Sequence, residues 1–428
     1  MKILVIGSGG REHALVWKIK QSPMATRVFC APGNAGIAEL AELIPIKPTD
    51  TDALISYAKN NSIDLTIVGP EHPLTKGIVD KFEANGLMIF GPSQRAAELE
   101  GSKVFAKEFM LRHRIPTANF KTFKPETRYE AERYINEIPI PIVIKADGLA
   151  AGKGVTVCDT KDAALNELDD LFTRKTLGEA GEKVVIEDFM EGEELSVLVI
   201  TDGKDFITLP PAQDHKRILD GDQGKNTGGM GAYSPVPSIN EDLLEKIKRQ
   251  IIRPTIRGMA KEGRTFKGCL YFGLMLTETG PRVVEYNCRF GDPETQVILP
   301  LIQNDLIEIM LASLKGEISK IKLRTHYANA VCVIIASRGY PDSYETGKPI
   351  FGLDNVTNIS NVHIFHSGTR RDDDSIVTTG GRVIGVTAVG ELNNLEETIL
   401  NAYRNVDKIT FDGAYYRSDI GKKALRRC

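Results

Sequence analysis

The sequence predicts a multidomain protein of combined α/β and α+β character: an N-terminal parallel-sheet α/β domain, a central α+β region and a small C-terminal mixed β domain. Three observations carry this reading. Residues 1–102 alternate β-rich runs with helix-like segments, the centre sets β-rich runs in pairs about short turns, and 428 residues exceed what one hydrophobic core usually organises.

The elements follow in order. A β-branched run, Ile3 to Ile6, enters the Gly-rich turn Gly7-Ser8-Gly9-Gly10 and leaves it as a helical pattern with Ala14, Leu15, Trp17 and Ile19. Strand-like RVFCAPGN at 27–34, helix-like DALISYAKN at 52–60, strand-like IDLTIVGPE at 63–71, a helix near 76–85 and strand-like LMIFGP at 87–92 continue the βαβ order of a parallel sheet. PIVIKADGLAAGKGVTVCDT then places two β-rich runs around a short Gly-rich loop, which is hairpin order. KVVIEDFMEGEELSVLVIT reads the same way, as two strands with a polar connection, and YFGLMLTETGPRVVEYN gives another pair about a Thr-Glu-Thr-Gly turn. From about residue 325, ANAVCVIIASRGYP, HIFHSGT and GGRVIGVTAVG lead to a final helix at LNNLEETILNAYRNV. The expected boundaries are 1–102, 103–324 and 325–428.

Composition narrows the class of partner. Lys plus Arg (54) nearly balance Asp plus Glu (57), without long runs of either sign, so the charge pattern favours a small polar substrate over nucleic acid or an anionic membrane. Six scattered cysteines, Cys30, Cys158, Cys269, Cys288, Cys332 and Cys428, form no C-x-x-C pair and read as buried thiols in a reducing cytosol. The apolar run at the N-terminus is too short for a signal peptide or a spanning helix and ends in a Gly turn, so a cytoplasmic protein is expected.

Two loops suit phosphate. Gly148-Leu149-Ala150-Ala151-Gly152-Lys153-Gly154 combines small residues, whose backbone N–H groups approach closely, with one ammonium. It is not a Walker A loop: Asp147 stands where the first Gly belongs, Gly154 replaces the Ser/Thr, and a strand follows. A hairpin flap over a triphosphate fits better. Lys145 ends the apolar strand Ile142-Val143-Ile144, and its buried charge requires a polar partner such as phosphate. The N-terminal Gly turn suggests a dinucleotide fold, yet Glu12 occupies the third glycine position and Ala31-Pro32-Gly33 offers no acidic group for a ribose. Another phosphorylated ligand stays open there.

A metal strand completes the chemistry. In RVVEYNCRFGDPETQ, alternation puts Glu285 and Asn287 on one face, two oxygen donors that suit Mg²⁺ when substrate phosphates and water supply the rest. Arg289, Asp292 and Glu294 cluster around Phe290-Gly291 and Pro293, a loop able to clamp a small zwitterion. A second polar loop, Gln213-Asp214-His215-Lys216-Arg217, precedes the glycines of 226–231.

On these residues the chain resembles the phosphoribosylamine-glycine ligase family, within the ATP-grasp superfamily. The motifs are GSGGREHA at 7–14, APGNAG at 31–36, DLTIVGPE at 64–71, GSKVFAK at 101–107, IKADGLAAGKGV at 144–155, QDHKR at 213–217, NTGGMGAYSP at 226–235, NCRFGDPETQ at 287–296 and YYRSDIG at 415–421. The resemblance implies a central ATP-grasp fold with a flap lobe at about 123–190. It implies that Lys103 and Lys145 contact phosphate under a lid that includes Gly152, Lys153 and Gly154. Glu187 and the backbone of Asp188, Phe189 and Met190 would face adenine, Glu194 the ribose, and Glu285 with Asn287 would hold Mg²⁺ or Mn²⁺. Phosphoribosylamine would lie against Gly9, Gly10, Asn34, Pro70 and Glu71, with Asp214, Arg289, Gly291, Asp292 and Pro293 near glycine; Arg289, Asp214 and Lys145 would be catalytic. The implied reaction joins glycine to 5-phosphoribosylamine with ATP in purine biosynthesis, by a monomer or weak homodimer.

Departures from the family pattern are Ser8 where Asn is frequent, Pro211-Ala212 where Ser often stands, and YFGLMLT at 271–277, which lacks the further metal carboxylate of many ATP-grasp enzymes. The rivals are another ATP-grasp ligase of purine metabolism, a non-catalytic nucleotide-binding protein, and an NAD-linked oxidoreductase, the last weakened by Glu12.

Overall fold

The computed structural model describes residues 1–149, 154–356 and 361–425. Its first sheet has five parallel strands in the order Glu42–Leu43, Arg27–Pro32, Lys2–Gly7, Leu65–Val68, Ile89–Phe90. Ile3, Leu4, Val5 and Ile6 are fully buried, as expected for a central strand covered on both faces. The two-residue edge strand Glu42–Leu43 is too short to show alternation in the sequence. Chain order reverses beside Lys2–Gly7, so a crevice opens where that strand and its neighbours end, at residues 7–9, 32–34 and 69–71.

The central region forms two antiparallel sheets. The first runs Phe120–Phe123, Val184–Asp188, Ile142–Ala146, Val155–Cys158. Helices Arg128–Glu137 and Lys161–Phe172 pack on it, closing a separate core that includes Ile142, Ile144, Leu168, Val184 and Ile186. The expected hairpin is present, with Ile142 opposite Cys158 and Lys145 opposite Val155. The second sheet runs Phe206–Thr208, Glu193–Thr201, Gly268–Thr277, Gly280–Asn287.

One expectation requires correction. KVVIEDFMEGEELSVLVIT supplies two strands, but they do not pair with each other: Val184–Asp188 belongs to the first sheet and Glu193–Thr201 to the second. Each buries its apolar side chains in a different core, Val184 and Ile186 in one, Leu195, Val197 and Val199 in the other, so the connection crosses between lobes instead of turning back. Gly192 permits the crossing: its φ is +157°, and a Cβ there would meet the Leu276 carbonyl carbon at 2.8 Å.

The C-terminal sheet is antiparallel throughout, in the order Gln213–Asp214, Gly231–Ser234, Ala328–Ser337, Arg382–Glu391, Val362–His366, with Ala414–Tyr415 also on Ala328–Ser337. Helix Leu395–Val406 buries Leu395, Ile399, Ala402 and Val406 in the same core. Two strands of this sheet come from the middle of the chain, which carries the 215–230 loops to the C-terminal unit. Among the described residues no helix is long and apolar enough to cross a membrane.

Phe272 is fully buried in the second central sheet and meets Tyr286 edge to face at 5.5 Å between centroids. Phe272→Ala is expected to destabilise the fold by about 3–5 kcal/mol, seen as a lower urea midpoint at unchanged slope.

Candidate active site

Between the two central sheets lies a concentration of charge. Strand alternation places Glu285 and Asn287 on one face of Gly280–Asn287, opposite Gly273 and Tyr271 of the neighbouring strand, which therefore adds no carboxylate. Lys216 Nζ stands 3.3 Å from Glu285 Oε1 and 3.3 Å from Glu194 Oε2. Lys216 above all, then Lys145 and Lys103, outweigh the effect of burial and hold the Glu285 carboxyl at about 2. One carboxylate and one amide oxygen at alternating positions fit a hard divalent cation that draws its remaining ligands from phosphate and water.

Lys145 is 4% exposed; its Nζ donates to the Val284 carbonyl at 3.1 Å and forms an ion pair with Glu187, which Lys107 contacts from the other side. Burial opposes ionisation of Glu187, but these two ammoniums overcome it and lower its pKa. Burial drives Lys107 down to about 8 despite Glu187. Expected beside adenine, the Glu187 side chain is thus enclosed between two lysines, while Phe189 is exposed and Met190 half-buried. Asp188 accepts from Asn119 Nδ2 at 2.8 Å.

Helix Lys103–Arg112 is tied to Asp147 and Gly148, just beyond strand Ile142–Ala146. Asp147 Oδ1 accepts from Ser102 Oγ and Val104 N, each at 2.8 Å, and Lys103 Nζ donates to the Gly148 carbonyl at 3.1 Å. Gly154 closes the hairpin, its carbonyl accepting from Ala146 N at 2.8 Å. Gly152 and Lys153 lie outside the described residues.

The loop after strand Gly280–Asn287 joins all parts of the chain. Arg289 Nε donates to Glu71 Oε2 at 2.8 Å, and its Nη2 lies 3.2 Å from Asn287 Oδ1 and 3.1 Å from Glu100 Oε1. Asp292 Oδ1 accepts from Gln296 Nε2 at 2.7 Å. Burial, then Glu294, push the Asp214 carboxyl well above its usual range. Asp214 and Pro293 both crowd Gly229, and a Cβ on Gly291 would strike the Glu294 side chain, so these loops pack at backbone contact.

A cavity of about 370 Å³ opens at the strand ends of the first sheet, lined among others by Ser8, Gly9, Asn34, Asp292, Tyr340, Ser367, Thr369 and Arg382. Gly9, Asn34 and Asp292 thus converge, whereas Pro70 and Glu71 do not line it; Glu71 serves Arg289. Gly10 sits at its edge, where a Cβ would come within 2.7 Å of both Gln296 Nε2 and Ser367 Oγ. The Asn34 amide donates to the Ser8 and His366 carbonyls at 2.8 and 2.7 Å, bracing the cavity wall. Glu12 explains the turn: its carboxylate accepts from Gly9 N at 2.6 Å and packs on Gly7 and Gly69, filling the helix N-terminus that a dinucleotide would need.

Arg382 escaped the sequence reading, its one signal being a charged residue opening a strand after Gly380-Gly381. Its guanidinium donates to the carbonyls of Gly228 at 2.5 Å and Asp292 at 2.8 Å and lies 3.1 Å from Asp292 Oδ2. Lys107, Lys216 and Glu100 also went unassigned, although the first two stand inside quoted motifs.

Residues 1–100, 101–295 and 330–423 match, in turn, the N domain, the ATP-grasp (A) domain and the C domain of phosphoribosylglycinamide synthetase. The chain belongs to the phosphoribosylglycinamide synthetase family. It is therefore an ATP-dependent ligase. A protein named phosphoribosylamine-glycine ligase from Rhodopirellula baltica is 49% identical over 430 residues, covering 99% of this chain and 98% of its own. One of the same name from Chlorobaculum tepidum is 48% identical, covering 99% and 100%. The crystal structure of phosphoribosylamine-glycine ligase from Thermotoga maritima superposes with a TM-score of 0.84 at 35% identity, covering 98% and 100%. The three domains of the synthetase family meet around one loop here, Glu71 and Glu100 from the first, Arg289 and Asp292 from the second, Arg382 from the third.

Removing the Arg382 clamp should let Asp292 and the Gly228-Gly229 turn drift, and a displacement on the ångström scale costs about 10²-fold in rate. Arg382→Ala is expected to lower kcat/KM by about that factor, with Arg382→Lys only partly restoring it in steady-state assays. The Glu71 carboxyl is held at about 2 because Arg289, then Arg11, overcome the opposing effect of burial. A folded-state pKa below the unfolded one adds stability that is complete above the ordinary value of 4.5 and disappears as pH falls toward 2. Glu71→Gln should remove that share and flatten the acid limb of a Tm-against-pH profile.

Proposed function

We propose that the chain joins glycine to 5-phospho-D-ribosylamine with ATP, forming glycinamide ribonucleotide, ADP and phosphate through glycyl phosphate, in de novo purine biosynthesis. The observation that carries this reading is the Arg289-to-Pro293 loop, which lies between the lysine-lined cleft and the 370 Å³ cavity and shares Asp292 with the latter. A carboxylate is a poor acyl donor until one oxygen leaves as phosphate. An acid held in this loop stands where it can be phosphorylated from one side and attacked by an amine from the other.

In the cleft, Lys103, Lys145 and Lys216 would lie along the triphosphate, spreading the charge that develops when the glycine carboxylate oxygen attacks the γ-phosphorus and the bond to ADP breaks. Glu285 and Asn287 would hold Mg²⁺ or Mn²⁺, which supplies further neutralisation of phosphate charge. Phe189 and Met190, with the Glu187 and Asp188 backbone, would take the adenine, and Glu194 the ribose. The 148–154 loop would shield the acyl phosphate from water.

Arg289 would bind the glycine carboxylate. Glu71 and Glu100 keep it in place, so its orientation is fixed before substrate arrives. In the cavity, the hydroxyls of Ser367 and Thr369 with Gly9 would receive the phosphoribosyl group. Its amine then attacks the acyl carbon, the bond to phosphate breaks, and the amine gives up a proton. Asp214, whose pKa is raised by burial, is suited to accept it.

The purified chain is expected to release ADP and phosphate only when glycine, Mg²⁺ and an amine acceptor are all present, phosphoribosylamine being the natural one. With hydroxylamine in place of phosphoribosylamine it should yield glycyl hydroxamate. Glu285→Ala should lower both signals by at least about 10³-fold; ADP release independent of glycine, or full activity in the variant, would refute the assignment.

A further inference from the structure

A second cavity, of about 320 Å³, lies away from the cleft, and nothing in the ligase reaction uses it. It is lined by Lys204, Asp205, Phe206 and Thr208 of the turn and strand at one edge of the second central sheet, by Lys248, Arg253, Ile256 and Arg257 of the helical stretch 241–261, and by Ser319. Strand Phe206–Thr208 forms one edge of that sheet and Gly280–Asn287 the other, so three strand spacings, about 14 Å, separate the cavity from Glu285.

The positive stripe on the helix has a backbone cause. Pro254 has no N–H to give and its ring crowds the preceding turn, and just before it the helix loosens into a π turn, Lys248–Ile252, in which Arg253 N donates to the Lys248 carbonyl. In a regular α-helix, residues five apart point to different sides. The wider turn brings Lys248 and Arg253 to one side, and Arg257, four residues further, continues the stripe. Lys204 faces it from the sheet.

Four cations therefore meet one carboxylate, Asp205, in one concave site. Lys248 pairs with Glu245 at 2.7 Å, and the same carboxylate bears more weakly on Arg253; among the described residues Lys204, Arg253 and Arg257 make no salt bridge. Arg253 lies over the Phe206 ring at 5.6 Å, which holds its guanidinium at the cavity wall. Like charges spaced four apart on a helix repel, and an anion removes that cost. We propose that this cavity is a second anion site, independent of the ligase cleft, which takes a small phosphorylated molecule carrying a di- or triphosphate. Two guanidiniums present forked donors to phosphate oxygens, two ammoniums add point charges, and the volume accommodates a nucleotide-sized ligand.

The test is calorimetric titration of pyrophosphate into the full chain, its cleft filled beforehand with Mg²⁺ and a single equivalent of a non-hydrolysable ATP analogue, which leaves the second cavity open. One further pyrophosphate should bind per chain. Arg253→Gln and Arg257→Gln should each weaken binding by about tenfold and together abolish it, with ligase turnover unchanged. Lys204→Glu, on the sheet side and outside the helix, should weaken it comparably, so the proposal stays testable if the helix variants fold poorly. Absence of binding to the cleft-filled enzyme, or binding that neither the arginine pair nor Lys204→Glu alters, would overturn it.

Discussion

The architecture of the cleft depends on how buried ammonium groups are kept charged. Lys103, Lys107, Lys145 and Lys216 converge on the space between the central sheets, and burial works against the charge of Lys103, Lys107 and Lys216. Leaving any of them unpaired would be costly, and three glutamates prevent it: Glu187 sits between Lys107 and Lys145, and Glu194 and Glu285 bear on Lys216. The arrangement divides the work. Lys107 and Glu187 form a closed pair deep in the structure, whereas Lys103, Lys145 and Lys216 are shared with Glu285 at the cleft, where a triphosphate and a cation would replace one set of charges with another of the same sign pattern.

The same principle governs the loop after strand Gly280–Asn287. Arg289 could not be held dehydrated without Glu71 and Glu100, and those two residues come from the N-terminal part of the chain. Asp292 is likewise kept ionised, against burial, by Arg382 first and then Arg11. Ion pairing thus does more than satisfy charge. It sets the position of a short loop from three sides, and a loop so fixed loses little freedom when substrate binds.

Much of the fold was legible because strands and helices repeat locally. Ile3 to Ile6, Ile142 to Lys145 and the Glu285-Asn287 alternation are visible in the sequence and occur where expected. The pairing of Val184–Asp188 was not, because hairpin order says which segments are strands and leaves open which core each one joins. Lys107 and Lys216 lay inside recognised motifs, yet nothing local marks a lysine as buried. Arg382 belongs to a strand more than 150 residues from the glycines it holds, and no periodicity records such a contact.

Sequence alone determined the order of elements, the Gly-rich turns, the shared face of Glu285 and Asn287 and, through its motifs, the family. These are properties of neighbours along the chain, where backbone geometry fixes which side chains share a face. Tertiary structure decided that Glu187 is enclosed instead of open to the cleft, that Glu12 fills the turn at residues 7–9, and that three domains grip one loop. Each of these is a balance of burial against charge between distant segments, and it exists only once folding has removed water from between them.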